Sequence, residues 1–371
     1  MTNTLDYLDW RGDLSFSSAP FCEVDMFICS QLSSPDYSGI VPETGEAVTL
    51  EDASERYFSR HPGDGADFGV LQSTSVLPML KALAASERFR NVRLCDAKNI
   101  VDQENEEQFC AVTVLLPDGT MCISFRGTDD TIIAWKEDFN LATKPVVPAQ
   151  ADALNYLKRA ASAHRGKIRV CGHSKGGNLA VFAAASVPKK IRQRIIQVVS
   201  FDGPGFPDAF LSAPGYLDIK DRTVTVLSQN SLVGMLLSAA GRREIVHSSR
   251  TGPMAHDGFS WEVRGTEFVK EDNLSEMSLG FDRLMDETLS SLSTEEKQAF
   301  IDELFGILLA TGAETITELT KLKKIEVLET VKNLRSGKDI HNFTSAIIEQ
   351  LVKNNTEKVK AGINSALRKQ N

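Results

Sequence analysis

The residues most able to do chemistry lie in Val170-Cys171-Gly172-His173-Ser174-Lys175-Gly176-Gly177-Asn178-Leu179-Ala180, where a serine has glycines two positions before and two after it. An apolar run, KIRVCG, precedes this stretch and a run of small residues follows it. Strand, sharp turn and helix in that order form a nucleophile elbow. The serine sits on a strained bend, and side chains at the flanking glycines would strike neighbouring backbone. The helix N-terminus then lies beneath the hydroxyl, and the Lys175 amide points to where a tetrahedral oxyanion would form. An ordinary Gly-rich turn with a capping serine is the plainer alternative. The strand and helix patterns on either side favour the elbow.

A serine hydroxyl needs a base within hydrogen-bond reach, and histidine has the suitable pKa. There are six histidines. His61 falls near the N-terminus, His164 before the elbow strand and His341 in the tail, while His173 adjoins the serine and should point away from it. His247 and His256 remain. In hydrolases built on such an elbow the histidine comes last in the chain, on a loop after the final core strands. That order suits His256 in GPMAHDGFSWEV better than His247 inside the strand run EIVHS.

Phe125-Arg126-Gly127-Thr128, then Trp135 and Asp138, GHSKGG, Phe201-Asp202-Gly203-Pro204-Gly205-Phe206, and His256 with Trp261 follow one another along the chain. In that order they resemble the landmarks of the fungal-type (class 3) lipases, over about residues 107 to 265. The opening YLDWRGDLSF and PFCEVDMFICSQLS looks more like an uncharacterised bacterial group of lipase-like proteins. The resemblance implies an α/β-hydrolase fold and serine-dependent cleavage of carboxylic esters, lipid esters among them. It further implies an oxyanion-hole amide and side-chain donor at Thr128, with Asp138 steadying that loop.

The chain departs from those lipases where their acid belongs. The matching stretch here is Asn230-Ser231-Leu232-Val233-Gly234-Met235, without a carboxylate. An acid is needed to hold the imidazole tautomer and stabilise the imidazolium. Asp202, directly after the run IIQVVSF, is the candidate for a relocated acid, against the plainer reading of a carboxylate capping the Asp202-Gly203-Pro204 turn. A pseudo-hydrolase that kept the fold but lost the acid, serving as a binding or regulatory protein, is the rival reading. Lys175 either places a cation beside the nucleophile, favouring an anionic substrate, or is solvated. The run LVGMLLSAAG is either core or an acyl-pocket or lid segment.

The elements that must position these residues alternate. A strand run FCAVTVLL, a turn at Asp118-Gly119 and a second run TMCISF form a hairpin leading into βαβ rhythm, with helices near Ile132 to Leu141, Ala149 to Ala163 and Gly177 to Ser186. Nearly continuous apolar strands between helices imply an α/β protein with a mostly parallel sheet covered on both faces. The expected division is a helical N-terminal cap over 1–95, the α/β-hydrolase core over 96–270, and a C-terminal helical extension over 271–371 with a capping-box start at Ser293 to Glu296. The 371 residues, 42% hydrophobic and 25% charged, supply ample core, and a net charge of -9 argues against nucleic acid as a partner.

Residues 267–320 carry 13 acidic and 3 basic side chains, and residues 321–371 carry 5 and 11. Pairing of the two stretches is the plainer reading; self-association, partner binding or a membrane-surface arm is the functional one. The six cysteines lack paired CxxC spacing, which argues against a zinc site and against a disulfide scaffold. The expected chemistry requires neither metal nor organic cofactor. No secretory signal or transmembrane run is expected, and hence a cytoplasmic location.

Overall fold

The computed structural model describes residues 2–62, 73–102, 104–129, 131–141, 143–290, 293–315 and 318. His341 and the basic stretch 321–371 lie outside them. Nine strands form one sheet. In spatial order they are β1 (Val48–Thr49), β2 (Arg93–Asp102), β3 (Glu107–Leu115), β4 (Met121–Phe125), β5 (Ile168–His173), β6 (Ile195–Phe201), β7 (Thr223–Ser228), β8 (Arg242–Val246) and the edge strand Lys270–Glu271. β4 to β8 run parallel, and the hairpin expected at Asp118-Gly119 joins β3 to β4 antiparallel. This is an α/β-hydrolase fold.

Strand order follows chain order, so right-handed crossovers place every connecting helix on the same face. That face carries α6 (Pro148–Ala163) and α7 (Lys175–Ser186), whose alanines let both helices lie close on Ile123, Phe125, Val170 and Val198. The opposite face would be bare without the first ninety residues. There α1 (Thr4–Arg11), α2 (Glu23–Gln31), α3 (Leu50–Arg60) and α4 (Val76–Ala85) bury Phe27, Ile28 and Leu80 with Cys122, Cys171, Val199 and Phe201 of the sheet. The two faces alternate along β4 as the period of two demands: Met121, Ile123 and Phe125 inward to one layer, Cys122 to the other.

A buried ion pair locks these N-terminal helices. Arg88 Nη2 lies 2.5 Å from Asp25 Oδ2, and the guanidinium also donates to the carbonyls of Leu14, Ala19 and Pro20, while Tyr7 Oη donates to Asp25 Oδ1 at 2.8 Å. Four acceptors around one planar cation, the Asp25 carboxylate and three carbonyls, offset its desolvation. Phe27 of α2 packs against Phe201, Phe259, Trp261 and Phe268, which ties α2 to the loop that follows β8.

At the other end, α5 (Ile132–Asn140) meets the helix Thr294–Ala310 through Phe139 and Phe305, ring centroids 5.4 Å apart. That helix begins at the Ser293–Glu296 capping box. No helix among the described residues is long and apolar enough to cross a membrane.

Candidate active site

Ser174 follows β5 and caps α7 with φ 57° and ψ −134°, a conformation that costs a residue with a side chain about 1–3 kcal/mol. Its amide donates to the Phe201 carbonyl at 2.9 Å, which secures the bend to β6. The glycines are sterically required: a Cβ on Gly172 would lie 2.2 Å from the Gly176 carbonyl, and one on Gly176 would lie 2.1 Å from the Phe125 oxygen. Both obstacles are backbone, which cannot move aside.

His256 ends a short 3-10 turn, Gly252–His256, after β8. Its Nδ1 is 2.7 Å from Asp202 Oδ2, and Asp202 is fully buried. Asp202 itself stands one residue past β6 in the left-handed region, φ 50°, with its amide on the Val226 carbonyl at 2.8 Å. Asp tolerates that region better than most residues with a side chain. The second carboxylate oxygen accepts the hydroxyl hydrogen of Ser231, and Ser231 Oγ accepts the Gly234 amide at 3.1 Å. Ser231 lies in the stretch 230–235, which has no carboxylate; here it serves the carboxylate one strand away.

Ser174, His256 and Thr128 line one cavity of about 30 Å³, together with Ser30 and Gln31 of α2, Ser73, and Arg126. Among the described residues no hydrogen bond joins Ser174 Oγ to the His256 ring. The Thr128 hydroxyl donates to Asp138, whose carboxyl burial raises to about 6 against the lowering influence of nearby Lys175. The Thr128 and Lys175 amides have no protein acceptor among the described residues, so both donors are available to a ligand oxygen at the helix N-terminus.

His173 was expected only to point away from the hydroxyl. Its Nε2 donates to the His256 carbonyl at 2.7 Å, and the two rings lie 4.6 Å apart. Burial, helped by the neighbouring His256, depresses the His173 pKa to about 3, so the ring is neutral and can hold that bond across ordinary pH. No spacing rule marks this role, because it depends on a loop 83 positions later returning over β5.

Two side-chain expectations are corrected. Lys175 is neither solvated nor turned toward a ligand: its Nζ is buried, 2.8 Å from Glu137 Oε2 and 2.8 Å from the Gln108 carbonyl. Glu137 also accepts the amides of Gln108 and Ala149, so the pair is fully bonded. The run from Leu232 to Ala240 is neither a lid helix nor a wall of the cavity. It forms a 3-10 turn at Val233–Met235, with Leu237 exposed at φ 64°. Two other histidines are committed elsewhere, His247 to Glu271 at 2.6 Å and His61 to the Tyr57 carbonyl at 2.9 Å.

No curated protein matches the chain. Among solved structures it is similar to M37 lipase, at 18% identity over 45% of this chain with a TM-score of 0.33, and spans 65% of that lipase. It is similar to the native Rhizomucor miehei lipase propeptide complex at 13% identity, covering 74% of this chain and 78% of that one with a TM-score of 0.36. A triacylglycerol lipase from Penicillium expansum gives 13% identity, 69% and 86% coverage, and a TM-score of 0.36. A family model described as Mbeg1-like matches residues 83–306, which takes in β4, the elbow, Asp202 and His256. The chain belongs to the Mbeg1-like family.

Proposed function

We propose that the protein is a serine hydrolase acting on carboxylic esters. The observation that carries this reading is the contact between buried Asp202 and Nδ1 of His256, whose ring lines one cavity with the Ser174 bend. With Nδ1–H donated to the buried carboxylate, Nε2 carries the lone pair, which is the tautomer a general base requires. Ser174 would attack the ester carbonyl while His256 takes its proton and returns it to the leaving alcohol; a water deprotonated by the same imidazole then cleaves the acyl–Ser174 ester, and the proton goes back to Ser174. Asp202 stabilises the imidazolium, and the Thr128 and Lys175 amides receive the oxyanion.

Cavity size and lining bear on the substrate. About 30 Å³ accommodates one or two waters' worth of atoms, enough for the reacting carbonyl group and not for an acyl chain. Ser30, Gln31, Ser73 and Arg126 put polar groups in walls that also include Val76. A compact ester with a polar acyl part fits this conformation; a lipid ester requires α2 and the start of α4 to draw back.

The test is covalent labelling by a fluorophosphonate probe, in the wild-type protein and in Ser174→Ala. Ser174-dependent labelling at a saturable rate is the expected result, with short-chain p-nitrophenyl esters hydrolysed faster than long-chain ones. Folded protein that resists the probe would instead favour a binding protein that retains the hydrolase fold.

A further inference from the structure

Away from the elbow, three side chains of different chemistry converge at the outer part of the sheet. Cys95 Sγ is 3.6 Å from His164 Nε2 and 3.7 Å from Asp96 Oδ2, and that carboxylate oxygen is 3.5 Å from the same Nε2. All three contacts involve a single atom of each residue. A cysteine nucleophile with its base and acid would use the two opposite nitrogens of the ring, so this is not a second triad. A tetrahedral metal with bonds of about 2.3 Å to sulfur and about 2.0–2.2 Å to nitrogen and oxygen spaces its ligand atoms about 3.3 to 3.6 Å apart. The three measured separations match that triangle within about 0.2 Å.

We propose that Cys95, Asp96 and His164 bind a divalent transition metal of the zinc class, leaving one coordination position toward solvent. Thiolate, imidazole and carboxylate together select such an ion over magnesium or calcium, which take oxygen ligands. Thiolate and carboxylate also bring two negative charges, so the bound ion leaves the half-buried site neutral.

The backbone holds the ligands in place. β2 pairs with β3 through Cys95 opposite Thr113 and resumes at Lys98 opposite Ala111, so Asp96 sits in a bulge. Asp96 takes the left-handed conformation there, φ 56°, which turns its carboxylate back beside the thiol of the residue before it. His164 is the residue that ends α6. Arg194 donates to the carbonyls of Ala161, His164 and Gly166, fixing the chain on both sides of the ligand. The Cys95 and Asp96 side chains are buried, while the imidazole is 29% exposed, which gives the ion a way in and places the open position on the solvent side. Bound there, the metal would pin the β2 bulge to the end of α6. The ligands are adjacent in one case and 68 positions apart in the other, so the CxxC rule cannot detect them.

Full-length protein, stripped with a chelator and titrated with Co2+, tests the assignment. One equivalent should develop visible bands of tetrahedral intensity and a thiolate-to-cobalt absorption in the near ultraviolet, both bleached by one equivalent of Zn2+. Cys95→Ser should lose the thiolate band, and His164→Gln should weaken binding by about 100-fold or more. Circular dichroism establishes that each variant is folded; if Cys95→Ser does not fold, the partly exposed His164→Gln decides. Absence of colour at stoichiometric Co2+, a thiolate band that persists in Cys95→Ser, or unchanged affinity in folded His164→Gln overturns the proposal. Fluorophosphonate labelling at Ser174 reads the hydrolase assignment separately, so either can fail while the other stands.

Discussion

Replacing Asp202 by Asn is the sharpest perturbation available, because both carboxylate oxygens are committed. Oδ2 takes the Nδ1–H of His256 at 2.7 Å, and Oδ1 takes the Ser231 hydroxyl. An amide can present an oxygen to only one of them. With its NH2 toward His256, Nδ1 becomes the acceptor, the ring proton moves to Nε2, and Nε2 is no longer a base. That arrangement corresponds to a loss of about 10⁴ in kcat, or about 5.5 kcal/mol at 1.36 kcal/mol per decade. With the oxygen toward His256 the tautomer survives and only the charge on the acid is lost. A hydrogen bond to a charged group contributes about 1.5–3 kcal/mol, so the loss is then roughly 10- to 100-fold. Ser231 biases the choice: its oxygen already accepts the Gly234 amide at 3.1 Å and can accept a second donor only by leaving its own hydrogen without a partner. We therefore expect kcat on a short-chain p-nitrophenyl ester to fall between about 10² and 10⁴, with KM nearly unchanged. Adding Ser231→Asp to Asp202→Asn should recover at least about tenfold, since a carboxylate returns one strand over. Folded Asp202→Asn turning over within about threefold of wild type would refute the assignment of Asp202 as the acid.

Other consequences can be measured on the same protein. Gly176→Ala should cost about 3 kcal/mol or more in urea denaturation and abolish probe labelling, because its Cβ would lie 2.1 Å from the Phe125 carbonyl oxygen. Lys175→Met should destabilise by about 3–5 kcal/mol by leaving buried Glu137 charged and unpaired, and Lys175→Met with Glu137→Gln should recover most of it. His173→Phe keeps the ring but not the bond to the His256 carbonyl, so kcat should fall about tenfold, the equivalent of one neutral hydrogen bond. Its pH dependence has a definite sign: the unfolded chain takes a proton at His173 below its ordinary pKa of 6.5, whereas the folded protein does so only near 3. Wild-type stability therefore falls as pH drops from 6.5 toward 3, and His173→Phe should flatten that decline in acid denaturation.

The elbow could be read from the sequence because everything that forms it lies within about ten residues. The β4 hairpin, α6 and the capping box at Ser293 are local in the same sense, with turn residues, helical period and cap all in one window. Lys175 was misread because its partner Glu137 lies 38 positions away, on a helix whose position depends on the whole sheet. A lysine in a window of glycines carries no mark of burial. The run from Leu232 to Ala240 was apolar enough for a helix but contains Gly234 and ends on a bridge from Ser238 to Phe206, so tertiary pairing prevailed over propensity. The first ninety residues read as a helical cap on the core, but which sheet face they cover depends on topology. Helical period shows that α2 and α4 exist, but only a strand order that follows chain order shows that one sheet face would otherwise stand open.

The proposed acid at Asp202 is consistent with the same topology. In a parallel sheet the residues that leave successive strands all emerge at one edge, one strand spacing apart, so an acid can move from the strand end after β7 to that after β6 without leaving the neighbourhood of His256. The backbone uses one device twice. Ser174 leaves β5 in a positive-φ bend with its amide on Phe201, the last residue of β6; Asp202 leaves β6 in a positive-φ bend with its amide on Val226 of β7. Each bend turns a side chain up over the strand edge, and the neighbouring strand supplies the hydrogen bond that holds it against its strain. The imidazole must then arrive from beyond β8, and that loop is held by Phe27 against its Trp261 and by His173 on the His256 carbonyl. On this view the acid position after β7 was free to change because what the imidazole senses is a buried negative oxygen about 2.7 Å away, whichever strand carries it. Ser231, which stands in the stretch after β7, completes this arrangement: without its hydroxyl, the outer oxygen of Asp202 would be buried without a partner.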